Sequence, residues 1–135
     1  MAQSLKYNLQ NLAIHRDARG WLVEMLKQNE VGQKIAQIYV ASLCPGAIRG
    51  NHWHSKRIEW FFVIGGDVQV HLQDTKTKKT KIIDIRSDNP SRISIFPPVA
   101  HAVVLRHQLA CAVAPAYVSD FSCSELPPDW LNHEP

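Results

Sequence analysis

Long hydrophobic runs are missing from this chain. Its most apolar stretches, such as Trp60–Ile64, fall far short of the roughly 20 residues that a membrane-spanning helix needs. The N-terminal segment Met1-Ala-Gln-Ser-Leu-Lys6 has no apolar core of the kind that directs secretion, so a cytoplasmic protein that does not engage a membrane is expected. Cysteine is scarce: Cys44, Cys111 and Cys123 are odd in number and form no C-x-x-C pair. That argues against a disulfide framework and against a zinc knuckle, and the three are expected to be reduced thiols. Charge is close to balanced. A formal net charge of +3 gives no basis for nucleic-acid binding, although it suits an anionic small ligand. Repeats, low-complexity tracts, linkers and sustained helical periodicity with caps are also absent.

What is present is a chain of 135 residues, enough for one domain with a real core, patterned as short strands between turn signals. Ile35–Leu43 reads as an apolar strand closed by Cys44-Pro-Gly46. Trp60–Ile64 is aromatic and β-branched, and Gly65-Gly66 predicts a tight turn into Asp67–Leu72, where Val68, Val70 and Leu72 alternate with Gln69 and His71. Thr75–Lys81 reads as a solvated hairpin tip. Lys81–Ile85 and Arg92–Phe96 follow, separated by Ser87-Asp-Asn-Pro90, and then Ala102–Leu105 and Leu109–Ala114. The pattern predicts an all-β sandwich or closed barrel.

The chemistry concentrates between Gly46 and Gly66. His52 and His54 lie one residue apart, so on a strand they share a face, while Trp53 points the other way. A bend after His54 can bring Glu59 to the same side. Two imidazoles and a carboxylate can hold a divalent metal or perform acid–base chemistry, and a histidine nitrogen that binds a metal has no lone pair left to take a proton. Glu59 has an ordinary alternative, an ion pair with Lys56 or Arg57. His15, His71, His107 and His133 read as surface or strand histidines, and the lysines of 76–81 as solvent-facing.

The spacing G-x5-H-x-H-x4-E-x6-G, from Gly46 to Gly66, resembles the first cupin motif, and Phe96-Pro-Pro-Val-Ala-His101 resembles the second. The resemblance implies a cupin jelly-roll β-barrel of the RmlC-like type. It also implies a metal set of His52, His54, Glu59 and His101, able to take Zn²⁺, Fe²⁺, Mn²⁺ or Ni²⁺. Asp17-Ala-Arg19-Gly20-Trp-Leu-Val-Glu24, Gln37 on a strand and Arg49-Gly50-Asn-His52 are similar to the sugar-nucleotide cupins, the dTDP-4-dehydrorhamnose 3,5-epimerase-like proteins. The added His54 is closer to the sugar 3,4-ketoisomerases.

That second resemblance implies a homodimer acting on a dTDP- or UDP-linked 4-keto-6-deoxy sugar in surface-polysaccharide biosynthesis. Arg19, Glu24, Gln37 and Arg49 would bind substrate, the two guanidiniums on the diphosphate. His52 would be the base and Tyr117 the acid, with His54 also in the catalytic set. The reaction needs no cofactor if His52 stays metal-free. The single domain would comprise an N-terminal arm over 1–34 with the D-x-R-G motif, a barrel over 35–118 and a tail over 119–135. A non-catalytic or regulatory cupin that binds a metal or sugar nucleotide is the alternative from another class. A metal-dependent oxygenase or isomerase unrelated to sugars is a third, and the Asp17–Glu24 motif disfavours it.

Overall fold

The computed structural model describes residues 5–32, 34–44, 46–107, 111–114 and 123–125. The strands are β1 (Tyr7–Asn11), β2 (Ile14–Asp17), β3 (Gly20–Val23), β4 (Tyr39–Ser42), β5 (Ile48–His54), β6 (Glu59–Ile64), β7 (Asp67–Asp74), β8 (Thr80–Ile85), β9 (Ser91–Ile95), β10 (Val99–His107), β11 (Cys111–Ala114) and β12 (Cys123–Glu125). The short helix α1 (Gln28–Val31) ends at Gly32, whose φ of 64° is the left-handed cap that glycine adopts at least cost. No helix among the described residues is long and apolar enough to cross a membrane.

Two five-stranded antiparallel sheets carry the fold, in the orders β1-β9-β6-β11-β4 and β12-β5-β10-β7-β8; β2 and β3 pair separately. From β4 to β7 each strand lies in the opposite sheet to its predecessor. Among the described residues, only β7 and β8 are consecutive and paired within these sheets, around the exposed lysine turn at 76–79. This alternation gives the jelly roll expected from the motifs. It also shows where two of the turns read from the sequence lead. Gly65-Gly66 does not close a hairpin, because β6 pairs with β9 and β11 while β7 pairs with β10 and β8. The turn before Pro90 likewise carries the chain from one sheet to the other. A glycine pair permits a sharp bend, but tertiary packing decides whether the flanking strands meet.

The core lies between the sheets. Val68, Val70 and Leu72 of β7 are at most 1% exposed and meet Val63 of β6 and Ile93 and Ile95 of β9 in one cluster with Val99, Val103 and Leu105 of β10. Each such aliphatic side chain contributes about 1.5–3 kcal/mol when fully buried. The alternation read in β7 is realised as strict inward–outward burial. β6 is instead covered on both faces. Trp60 and Phe62 pack with Leu12 under Val23, Met25, Leu26, Val31 and Ile35, so the segment that follows β3 lies over the outer face of the sheet. Arg92 fastens it there. Its Nη1 donates to Met25 O (3.1 Å) and Glu30 Oε2 (2.6 Å), and its Nη2 donates to Gln10 Oε1 (2.5 Å). β1, which falls in the expected arm, is hydrogen-bonded to β9 from Tyr7↔Ile95 to Asn11↔Ser91.

Candidate functional site

Four side chains from three strands converge at one end of the core. His52 and His54 come from β5, Glu59 from the first position of β6, and His101 from β10. One ligand-type atom from each lies within 4.8 Å of all the others. Strand parity explains His52 and His54, whose rings are 4.7 Å apart. A β-bulge explains His101. The β5–β10 register shifts between His101 and Ala102, which stand opposite His52 and Gly50, so that β5 carries Asn51 as the extra residue of the bulge. Gly50 and Asn51 supply the backbone this needs, with φ of 84° and 57°. A Cβ at Gly50 would sit 3.1 Å from His101 O and 3.2 Å from its Cδ2. The R-G-x-H motif thus has a structural content: the glycine lets β10 come close enough to deliver His101 beside His52. Their rings are 4.8 Å apart and nearly perpendicular, and Phe61 backs His101 at 5.2 Å.

Glu59 is the hub. Its Oε2 lies 2.8 Å from His101 Nε2 and 4.0 Å from His52 Nε2; its Oε1 lies 3.1 Å from His54 Nε2 and 3.5 Å from Arg57 Nη1. The ion pair with Arg57 expected as its ordinary alternative is present, and the same carboxylate lies among the three histidines. Burial by itself raises the Glu59 pKa, but the contacts from His101 and His54 outweigh it and hold the carboxyl below its ordinary range. His52 is lowered to about 4, mainly because burial disfavours the imidazolium and because His101 adds repulsion against which Glu59 only partly acts. It is a neutral imidazole at physiological pH.

The donor set fits a transition-metal ion. Both ring nitrogens of His54 and of His101, and Glu59 Oε2, are buried without an aligned hydrogen-bond partner, even where nitrogen and oxygen are close. Such atoms are costly in a protein interior unless something further engages them. Three imidazoles and one carboxylate are ligands that several divalent metals accept.

A cavity of about 340 Å³ opens onto this cluster, lined by His52, Arg49, Leu43, Phe61, Val63 and Val103 among others. His52 faces it with a quarter of its side chain exposed, whereas His54, Glu59 and His101 lie buried behind. Arg49 Nε donates to Ser42 O at 3.1 Å, joining β5 to β4 beside the cavity.

The other expected substrate residues lie elsewhere in the single chain. Arg19 sits on the β2–β3 hairpin, in a depression of about 490 Å³ with His15, Arg16 and Trp21. Its guanidinium and backbone N–H both bond Asp17, and its side chain is 90% exposed. Glu24 pairs with Lys27 at 3.1 Å and lines a third hollow with Gln10, Glu30 and Arg92. Gln37 is exposed in irregular backbone, because the strand expected over Ile35–Leu43 is confined to Tyr39–Ser42. Tyr117 lies outside the described residues. Sequence reasoning missed the Arg92 tie, whose signal was a lone arginine in the otherwise uncharged strand Ser91–Ile95.

Comparison with known proteins places this geometry in context. Residues 15–111 match the polysaccharide biosynthesis C-terminal domain family. The chain is 31% identical over 99 residues to the spore coat polysaccharide biosynthesis protein SpsL of Bacillus subtilis (strain 168), covering 69% of this chain and 66% of that protein. It is 29% identical over 93 residues to a UDP-2-acetamido-2,6-beta-L-arabino-hexul-4-ose reductase of Pseudomonas aeruginosa, covering 69% of this chain and 24% of the reductase. The chain thus spans less than two thirds of either curated relative.

Among solved structures, it superposes on a dTDP sugar isomerase from Desulfovibrio desulfuricans G20 with a TM-score of 0.81, 20% identity and 98% of both chains covered. It superposes on a 3'-monoepimerase from Streptomyces bikiniensis in complex with dTDP-quinovose with a TM-score of 0.80 and 17% identity, covering 94% of this chain and 73% of that one. The chain belongs to the polysaccharide biosynthesis C-terminal domain family and has the fold of an RmlC-like, dTDP-4-dehydrorhamnose 3,5-epimerase-like cupin.

Proposed function

We propose that this protein is a cytoplasmic epimerase or ketoisomerase of a nucleotide-diphosphate-linked 4-keto-6-deoxy sugar, working in surface-polysaccharide biosynthesis. The observation that carries the proposal is the placement of His52, a neutral imidazole facing a cavity that also holds the fixed positive charge of Arg49. The polysaccharide biosynthesis family, the spore coat polysaccharide relative and the relative that is a UDP-linked hexulose reductase support the substrate class, as does the fold shared with enzymes of dTDP-linked sugars.

The chemistry follows from the ketone at C4, which acidifies the neighbouring C–H bonds. His52 takes the proton from C3 or C5; the C–H electrons move into the ring and onto the ketone oxygen, giving an enolate. An epimerase returns the proton to the opposite face of the same carbon. A ketoisomerase returns it to a different carbon, and His54, whose ring is tilted 4.7 Å from that of His52, would share that transfer. Tyr117 is the proposed acid. Arg49 and Arg19 bind the diphosphate through charge-assisted contacts, and Glu24 and Gln37 contact the base or sugar. Since Arg19 and Arg49 line separate hollows in one chain, the proposed homodimer supplies Arg19 from the second copy. A divalent ion, if bound, would be held by His52, His54, Glu59 and His101 and would supply Lewis-acid polarisation of an oxygen.

The test is solvent exchange. A dTDP- or UDP-linked 4-keto sugar incubated with the protein in D₂O is expected to gain deuterium at C3 or C5. His52→Asn is expected to slow this by about 10²–10⁴-fold while nucleotide binding persists. Absence of exchange with both nucleotide series would shift the assignment to a non-catalytic sugar-nucleotide-binding cupin.

A further inference from the structure

The cluster that faces the cavity carries a fifth group, one outside the metal-ligand set. Arg57 lies in the four-residue spacer between His54 and Glu59 and folds back over the carboxylate, with Nη1 3.5 Å from Glu59 Oε1 and only 14% of its side chain exposed. That same oxygen is 3.1 Å from His54 Nε2, and its twin is 2.8 Å from His101 Nε2. One buried carboxylate therefore serves both the imidazoles and a guanidinium.

We propose that Arg57 is the built-in counter-charge of this site, taking the electrostatic place of a divalent ion and lowering the affinity of His52, His54, Glu59 and His101 for metal. An imidazole must give up its proton to bind a metal, so the ligand set that an ion would meet offers it one negative charge, that of Glu59. The Arg57 guanidinium already sets a positive charge against that carboxylate. A guanidinium is a fixed cation with planar donors suited to a carboxylate. A metal bound to Glu59 would share that carboxylate with a fixed cation, in surroundings too buried for salt to screen the repulsion fully. The H-x-H-x4-E motif specifies the ligands; the identity of one spacer residue then sets whether they hold a metal. Arg57 acts through Glu59 and is a positioning residue. Its consequence for chemistry, that the His52 nitrogen stays available to take a proton, rests on the proposed base role of His52. The charge competition itself does not.

The experiment is a metal titration of the chelator-treated protein with Co²⁺, followed by ligand-field absorption, and with Zn²⁺, followed by competition with a chromophoric chelator. Arg57→Gln and Arg57→Met remove the charge, the second keeping the aliphatic stem, and Arg57→Lys retains it. Circular dichroism checks that each folds. The neutral variants are expected to bind metal at least about tenfold more tightly than wild type, as expected for loss of a nearby fixed cation, and Arg57→Lys is expected to stay near wild type. Equal or weaker affinity in a folded neutral variant overturns the proposal, as does equal tightening in Arg57→Lys. The wild-type protein supplies its own arm: stoichiometric metal that survives gel filtration against chelator overturns the proposal whatever the variants do. Deuterium exchange in wild type is read separately. Tighter metal in the neutral variants without wild-type exchange would keep the counter-charge and remove the base role.

Discussion

His101 Nε2 and Glu59 Oε2 approach to 2.8 Å across the interface between the two sheets, both side chains at most 3% exposed. His101 comes from β10 and Glu59 from β6, strands of different sheets that share no hydrogen-bonded register. The contact closes one end of the core and fixes the hub around which His52, His54 and Arg57 are arranged.

Removing that hub is expected to cost stability as well as function. Glu59→Gln leaves the Arg57 cation without its opposing charge and the imidazoles without a carboxylate. A loss of about 1–3 kcal/mol is expected, the size seen when a buried polar group loses its partner. Urea unfolding measures it. A midpoint unchanged from wild type would mean that the cluster contributes nothing to the fold.

Gly50→Ala tests the bulge. The φ of 84° disfavours any side chain, and the added Cβ meets the His101 carbonyl at 3.1 Å. A cost of about 1–3 kcal/mol is expected for a non-glycine residue held in that region. Because β10 must shift to relieve the contact, exchange activity is expected to fall more than the fraction of folded protein does. Calorimetric unfolding together with the D₂O assay separates the two effects.

Arg49→Ala and Arg19→Ala are each expected to weaken dTDP or UDP binding by about 1.5–3 kcal/mol, the loss of a charge-assisted contact. Titration calorimetry reads the affinity. If Arg19 comes from a second copy, equimolar mixing of the two single variants is expected to restore a fraction of wild-type sites in the mixed dimer. Unchanged affinity in both variants would remove the diphosphate role.

The Arg92 tie predicts a pH signature. Glu30 is held below its ordinary carboxylate pKa of 4.5, first of all by the hydrogen bond from Arg92. Its ionised form is favoured by the fold. The stabilisation is therefore fully present above the unfolded-state pKa and is lost as pH falls through the lower folded value. The melting temperature of Glu30→Gln is expected to lie below wild type at neutral pH and to converge with it in acid, below about pH 4. A difference that does not change with pH would assign the effect to packing of the Gln28–Val31 turn.

The sequence by itself determined much of the site. Strand parity put His52 and His54 on one face, and the H-x-H-x4-E spacing with the later His101 named all four converging groups. The inward run of Val68, Val70 and Leu72 was legible because strand side chains alternate with a period of two. These are local properties, set by the covalent chain.

Only the tertiary structure decided the rest. Gly65-Gly66 marks a tight turn, but that β6 and β7 part there into opposite sheets is set by their packing across the core. Arg92 could not be recognised as a clamp until Gln10, Met25 and Glu30 were brought to it from the remote N-terminal region. Which histidine meets the cavity, and that Arg57 turns inward onto Glu59 instead of out to water, depend on burial. Burial is a property of the packed sheets, and no spacing in the chain encodes it.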